Sequence, residues 1–253
     1  MNLFKKIFGL KENSKTEKET KNVSDLDSFK AIPWMTDARL KNISICINAG
    51  FKPASSLPTE FDKKLRPSIE IANRLNAIKA LILWLMVPKG NLPDEKILNF
   101  VTQNNLMNLM TEDEKAILSL SRDNEQARNL IGWKFENAWP LAWFFGYKKP
   151  EITGQMMTGE QMQEILMNYT CPLDESIEEW IKNKGTISEE DLNQKEDLFY
   201  CLHNAVRSGQ LGRKTVPNGF DPIGNGGVIH ERRHSLTWML SDGISWEETD
   251  LST

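Results

Sequence analysis

The sequence predicts an all-α protein, one irregular bundle of about nine helices with little or no β structure. Three observations predict it. Helix-capping signals recur along the chain, and apolar residues repeat at helical spacing between them. The alternation of a half-buried strand is nearly absent, with at most a short extended piece over 214–220.

The elements follow in order. Residues 1–10 form a short amphipathic piece, with Leu3, Phe4, Ile7 and Phe8 set against Lys5 and Lys6. The next stretch is polar and free of aromatics, so residues 1–24 read as a flexible tail and 25–253 as a single helical domain. Thr36 or Asp37 can cap a helix that Gly50 ends. Pro67 suits the first position of a helix reaching about Val87, where Pro88 and Gly90 stop it. Pro93 opens another. Thr111 to Glu114 and Thr158 to Gln161 spell capping boxes, each placing acid at a positive helix end. Three of the eight tryptophans crowd between Trp133 and Trp143 in a helix that Pro140 should kink. Ser188, followed by Glu189, Glu190 and Asp191, starts a helix that Gly209 terminates. Gly224 to Gly227 reads as a flexible loop leading into a last helix from about Val228 to Leu240.

Composition narrows the function classes. There are 31 basic against 35 acidic residues, a net charge of −4, with no basic stripe of the kind nucleic-acid binding needs. The longest apolar run, Ala80 to Val87, is far short of the roughly 20 residues of a membrane-spanning helix. Residues 1–10 offer at most a weak peripheral contact with a membrane surface. The start of the chain lacks the long apolar stretch of a secretory signal. Three widely spaced cysteines fit reduced thiols in a cytoplasmic protein. No cofactor is implied.

The feature that demands explanation is charge on apolar faces. At 100° per residue, Arg74 falls among Ile78, Leu81 and Leu85, and Arg232 lies on the face made by Ile229, Leu236, Met239 and Leu240. Glu136 projects beside Trp139 and Trp143. Unpaired ions there would be very costly, so the sequence predicts Glu136 bridging Arg74, Arg232 or both. A second polar set, Asp197, Tyr200, His203, Asn204 and Arg207, shares one side of the helix over 196–207. It suits either a solvated face or a cleft shared with Glu231 and Arg233. Arg74, Glu136, His203, Arg207, Glu231 and Arg232 are therefore the candidate ligand-binding residues, with no catalytic assignment.

His230-Glu231-Arg232-Arg233-His234 has the spacing of a zinc-protease helix, and His203 offers a third ligand. Two guanidinium groups inside the motif oppose a dication, no GxxH continuation follows, and the histidines leave the helix's apolar face toward solvent. No metal is expected. Gly224 to Gly227 beside Arg213 and Lys214 could receive an anion at a helix start, but a plain flexible loop is the preferred reading.

Arg66-Pro67 with Glu70 and Arg74 is one of four ordered matches to a family. Trp133 with Glu136 through Trp139, Leu141, Trp143 and Gly146 is the second. Asp197, Tyr200, His203 and Arg207 make the third. Val228, Glu231-Arg232-Arg233, Leu236 and Trp238 make the last, closing with Trp246 and Asp250. Together they resemble the bacterial family described as domain of unknown function 4272, over roughly residues 35–250. The resemblance implies a cytoplasmic bacterial setting and brings no activity, ligand or cofactor with it. Its last motif carries Glu231-Arg232-Arg233 without requiring the flanking histidines, which turns the zinc reading away further. The chain departs from the pattern at Asn204, where an aromatic residue is usual.

Without catalytic signatures, and with many aromatics and an acidic surface, the sequence points to a protein-interaction or accessory module, immunity-like, whose partner is another protein. The alternative is an enzyme or small-anion binder built on the Glu/Arg/His cluster. A zinc hydrolase is the weaker alternative.

Overall fold

The computed structural model describes residues 26–59 and 63–253. The tail expected over 1–24, with its surface contact through 1–10, lies outside them. After a helical turn at 26–30 come α1 (Asp37–Asn48), α2 (Ser68–Met86), α3 (Asp94–Gln103), a 3-10 turn (Leu106–Leu109), α4 (Glu112–Ser119) and α5 (Glu125–Phe144). They are followed by α6 (Gly159–Asn168), α7 (Ile177–Ile181), α8 (Glu189–Gln210) and α9 (Gly224–Met239). Among the described residues there is no strand, and the one β-type pairing is a parallel bridge between Lys64 and Ser241. The fold is all-α. The extended piece expected over 214–220 forms no sheet, and its Thr215 carbonyl accepts from the Lys52 amide at 2.9 Å.

Local chemistry sets the helix starts. The Thr36 hydroxyl accepts from the Arg39 amide, and both predicted capping boxes close, Thr111 with Glu114 and Thr158 with Gln161. Pro67 and Pro93 stand immediately before α2 and α3, where a missing N–H costs nothing. Ser188 caps α8, which runs through Gly209 to Gln210. Gly50, at φ 87°, turns the chain out of α1.

Two helices are longer than their patterns imply. Asn124 caps α5 well ahead of Trp133, and Pro140 is carried inside it. Helix α9 begins at Gly224, so the expected loop is its first turn, and the glycines are there for proximity. A Cβ on Gly226 would stand 2.6 Å from Val206 Cγ1 of α8, and one on Gly227 would stand 2.4 Å from the Trp133 ring of α5. No side chain larger than hydrogen fits at either contact, which is what lets α9 lie against both neighbours.

Helix α9 packs on α5 and α8, α5 on α2, and α1 on α8. One buried apolar cluster runs from Phe29 to Trp246. Helix α2 is enclosed on most sides, so its polar residues must find partners inside. Asn76 accepts from the Cys171 amide at 3.0 Å, and Lys79 donates to the Cys171 carbonyl.

Candidate functional site

All three charges predicted to lie on apolar faces are buried, but they form two nodes. Arg74 does not meet Glu136. Its guanidinium forms a two-pronged pair with Glu114, at 2.7 and 2.8 Å, and lies 3.9 Å over the Trp246 ring. Lys134 joins the same carboxylate at 2.6 Å. Burial works to raise the Glu114 carboxyl, but Arg74 and Lys134 overcome it and hold it down to about 2. The expected bridge fails because Glu114, the third residue of α4's first turn, reaches Arg74 directly.

The second node keeps half of that bridge. Arg232 Nε donates to Glu136 Oε2 at 2.8 Å, Nη2 lies 2.7 Å from the same oxygen, and neither side chain is exposed. The other carboxylate oxygen accepts from the Met157 amide at 2.6 Å. The remaining guanidinium hydrogens go to the carbonyls of Glu151, Thr153 and Gln155, and the group lies 4.5 Å over Trp139. Burial pushes Glu136 up and Arg232 down, each opposed by its partner. The pair staples the 151–157 segment to α5 and α9.

A third node, at α1 and α8, escaped the sequence reading. Arg39 donates from Nε and Nη2 to Asp197 at 2.8 and 2.6 Å, and Asn42 gives its amide to the other oxygen at 2.7 Å. The signal was there: Arg39, Ile43 and Ile47 share one face of α1, the same anomaly that marked Arg74.

The polar face of α8 meets α9 at the side chain of Arg233, which the sequence set beside this face but left out of the candidate ligand-binding residues. Arg233 Nη1 lies 2.6 Å from His203 Nδ1 and donates also to the Leu251 carbonyl at 2.8 Å, while Nη2 donates to Ser252. Its plane lies 4.8 Å over Tyr200, and its buried Nε has no hydrogen-bond partner. Glu196 faces it at 4.0 Å and binds Lys63 at 2.6 Å and the Thr237 hydroxyl at 3.1 Å. His203 Nε2 continues to His230 Nδ1 at 3.3 Å. Burial, then the charge of Arg233, holds the His203 ring down to about 3.

Of the sequence candidates, the structure thus brings together Glu136 with Arg232, and His203 with its neighbour His230. It leaves Arg74 apart. Glu231 turns to Asn137, accepting at 2.8 Å. Arg207 is exposed and donates to Gln210 Oε1 at 2.8 Å. Asn204 accepts from the Ala54 amide at 2.8 Å, a fixed role for the position that departs from the family pattern.

The zinc-protease spacing does not become a ligand set. His234 is half-buried rather than facing solvent, because α9 is enclosed on most sides. Its ring stacks on Trp246 at 4.2 Å, and its Nε2 sits 2.8 Å from the Trp246 carbonyl. His203 has both nitrogens engaged. Among the described residues no group of three His, Cys, Asp or Glu side chains is placed to hold a metal ion.

Three clefts open around these residues. One of about 590 Å³ lies between α1 and α8, lined by Thr36, Arg39, Thr59, Lys63, Glu190 and Asp197. One of about 310 Å³ includes Lys63, Glu196, Tyr200, Arg233 and Asp250. The third, about 460 Å³, is lined by His203, Arg207, His230 and residues 251–253.

Fold and site define an all-helical domain organised around arginine–carboxylate nodes and a histidine–arginine seam. Residues 35–249 match the family described as domain of unknown function (DUF4272), and the chain belongs to it. No curated protein and no solved structure matches the chain. No helix among the described residues is long and apolar enough to cross a membrane.

Proposed function

We propose that this chain is a non-catalytic binding module in the cytoplasm, immunity-like or otherwise accessory, whose partner is another protein. The observation that supports it is the cleft between α1 and α8. Its lining mixes donors and acceptors from Asn42, Lys63, Glu190, Asn193 and Gln194. Trp34, two residues before Thr36 of the lining, is 58% exposed, and its carbonyl accepts from the hydroxyl of Thr59, another lining residue. A large exposed aromatic beside a mixed polar cleft is the composition of a protein-binding hot spot. The charges a catalyst would draw on are committed: Arg74 to Glu114, Glu136 and Arg232 to each other, and other hydrogens of the two arginines to backbone carbonyls.

The test is tandem purification of the tagged full chain and of a Trp34→Ala, Glu190→Lys variant from the native host. One protein should co-purify in fixed proportion with the first and be lost from the second. Repeated purification without a partner, or equal recovery with both chains, ends the reading. A second reading, a small-anion binder, has its own support in the cleft that Arg207 and His230 line.

A further inference from the structure

Arg233, His203 and His230 form a hydrogen-bonded line with one consistent placement of protons. A guanidinium has donors only, so His203 Nδ1, 2.6 Å from Arg233 Nη1, must accept. The neutral ring then carries its proton on Nε2 and donates it to His230 Nδ1 at 3.3 Å. His230 in turn carries its own proton on Nε2. These tautomers follow from the network, since any other assignment sets N–H against N–H or lone pair against lone pair. Burial agrees, holding His203 neutral at ordinary pH.

The line therefore ends in a donor. The nearest acid to His230 Nε2 is Glu231 Oε1 at 4.0 Å, beyond hydrogen-bond reach, and the other oxygen of Glu231 is taken by Asn137. Among the described residues no acceptor lies within hydrogen-bond distance of this N–H. His230 lines the cleft of about 460 Å³, and so does Arg207, which is one helical turn from His203 on α8. Arg207 gives a single N–H to Gln210, which leaves most of its planar fork uncommitted. Asp250, the other acid near this corner, accepts from the amide and hydroxyl of Ser252. The cleft thus presents an imidazole N–H and a guanidinium, with the charge of Arg233 behind them.

We propose that this cleft binds an oxyanion, the carboxylate or phosphoryl group of a small ligand, through His230 Nε2–H and Arg207. The proposal rests on the small-anion reading and on residues separate from the α1–α8 cleft. His203 and Arg233 are positioning residues. They fix the tautomer of His230 so that it offers a proton without having to be charged.

The test uses the full chain labelled with ¹⁵N-histidine, observed by long-range ¹⁵N–¹H NMR at pH 7.5. His203 and His230 should both appear as Nε2–H tautomers. Sodium phosphate and sodium acetate are then titrated separately at constant ionic strength held with chloride. His230 should shift saturably with at least one of them, and the stronger response identifies the preferred oxyanion. Arg207→Gln, on an exposed side chain, should keep the fold and weaken the response roughly tenfold. Trp34→Ala should bind as the unaltered chain does, so loss of the partner and loss of the anion are separable results. A His230 ring protonated on Nδ1, a shift that never saturates, or equal binding by Arg207→Gln would overturn the proposal.

Discussion

Arg232 makes five hydrogen-bonding or ionic contacts that differ in kind, and the difference predicts what its loss does. Removing Glu136 strips the charge partner, while Gln at that position can still accept from Met157. Removing Arg232 strands the buried carboxylate and releases the carbonyls of Glu151, Thr153 and Gln155. Breaking a buried ion pair by deleting one member costs about 3–5 kcal/mol, because the survivor stays uncompensated. Arg232→Met should therefore lose about 3–5 kcal/mol in urea denaturation and loosen the 151–157 segment in hydrogen exchange. Glu136→Gln should lose less. Equal losses, or a loss under about 1 kcal/mol for Arg232→Met, would show that the staple contributes little. At this scale the sequence was partly legible. A charge inside an apolar stripe is visible from periodicity, so Arg74, Glu136 and Arg232 were found. Their partners were not all visible, because Glu114 does two jobs. Its local one, closing the α4 capping box, fully explains its presence and hides the pairing with Arg74. Arg233 was legible only as a neighbour of the α8 polar face, because helix periodicity turns it away from Arg232 without showing which atoms it meets.

Gly226 separates element-scale logic from residue-scale propensity. Replacing an interior helical glycine by alanine ordinarily stabilises by roughly 0.5–1 kcal/mol. At Gly226 the new Cβ would press on Val206 Cγ1 at 2.6 Å, and valine in a helix has almost no alternative rotamer to retreat to. Overpacking of this kind costs about 1–3 kcal/mol, so Gly226→Ala should lower stability on balance. Gly224→Ala provides the contrast, since its Cβ would meet only the far end of the Asp221 side chain, at 2.9 Å. Thermal denaturation of both variants checks this, and a higher melting temperature for Gly226→Ala would mean the α8–α9 contact is slack. The first turn of α9 was illegible because three glycines in four residues look like a loop by propensity. Only the neighbouring helices show that they are there for closeness. Helix starts marked by side-chain chemistry, at Thr36, Thr111, Thr158 and Ser188, were legible because a capping hydroxyl acts within its own four residues.

Across the whole molecule the buried bases and acids set one pH profile. The ring of His203 is held down to about 3 and that of His234 to about 4, in both cases by burial first. Their ordinary value is 6.5, so below it the unfolded chain takes up two protons that the folded chain refuses. Stability from these rings is fully present above pH 6.5 and falls as pH drops toward 4 and then 3. Two such sites give a slope of roughly 2–3 kcal/mol per pH unit between about pH 6 and 4.5. Glu114, held down to about 2 from 4.5, adds its own loss only below about pH 4.5, as the pH falls toward 2. On the alkaline side Lys195 and Lys79, lowered by burial to about 7 and about 8, continue the rise with pH, because the folded chain sheds protons the unfolded one keeps. The thiols of Cys171 and Cys201, raised by burial from 9.0 to about 11 and about 12, oppose that rise once pH passes 9. The urea midpoint should therefore climb steeply from pH 5 to 6.5, more gently to about 8.5, and flatten near 9. His203→Gln, which keeps an acceptor for Arg233, should remove about one proton from the acid slope and leave the alkaline limb unchanged. A midpoint constant between pH 5 and 6.5 would mean that these rings reach solvent in the folded chain, and the neutral line from Arg233 to His230 would go with it.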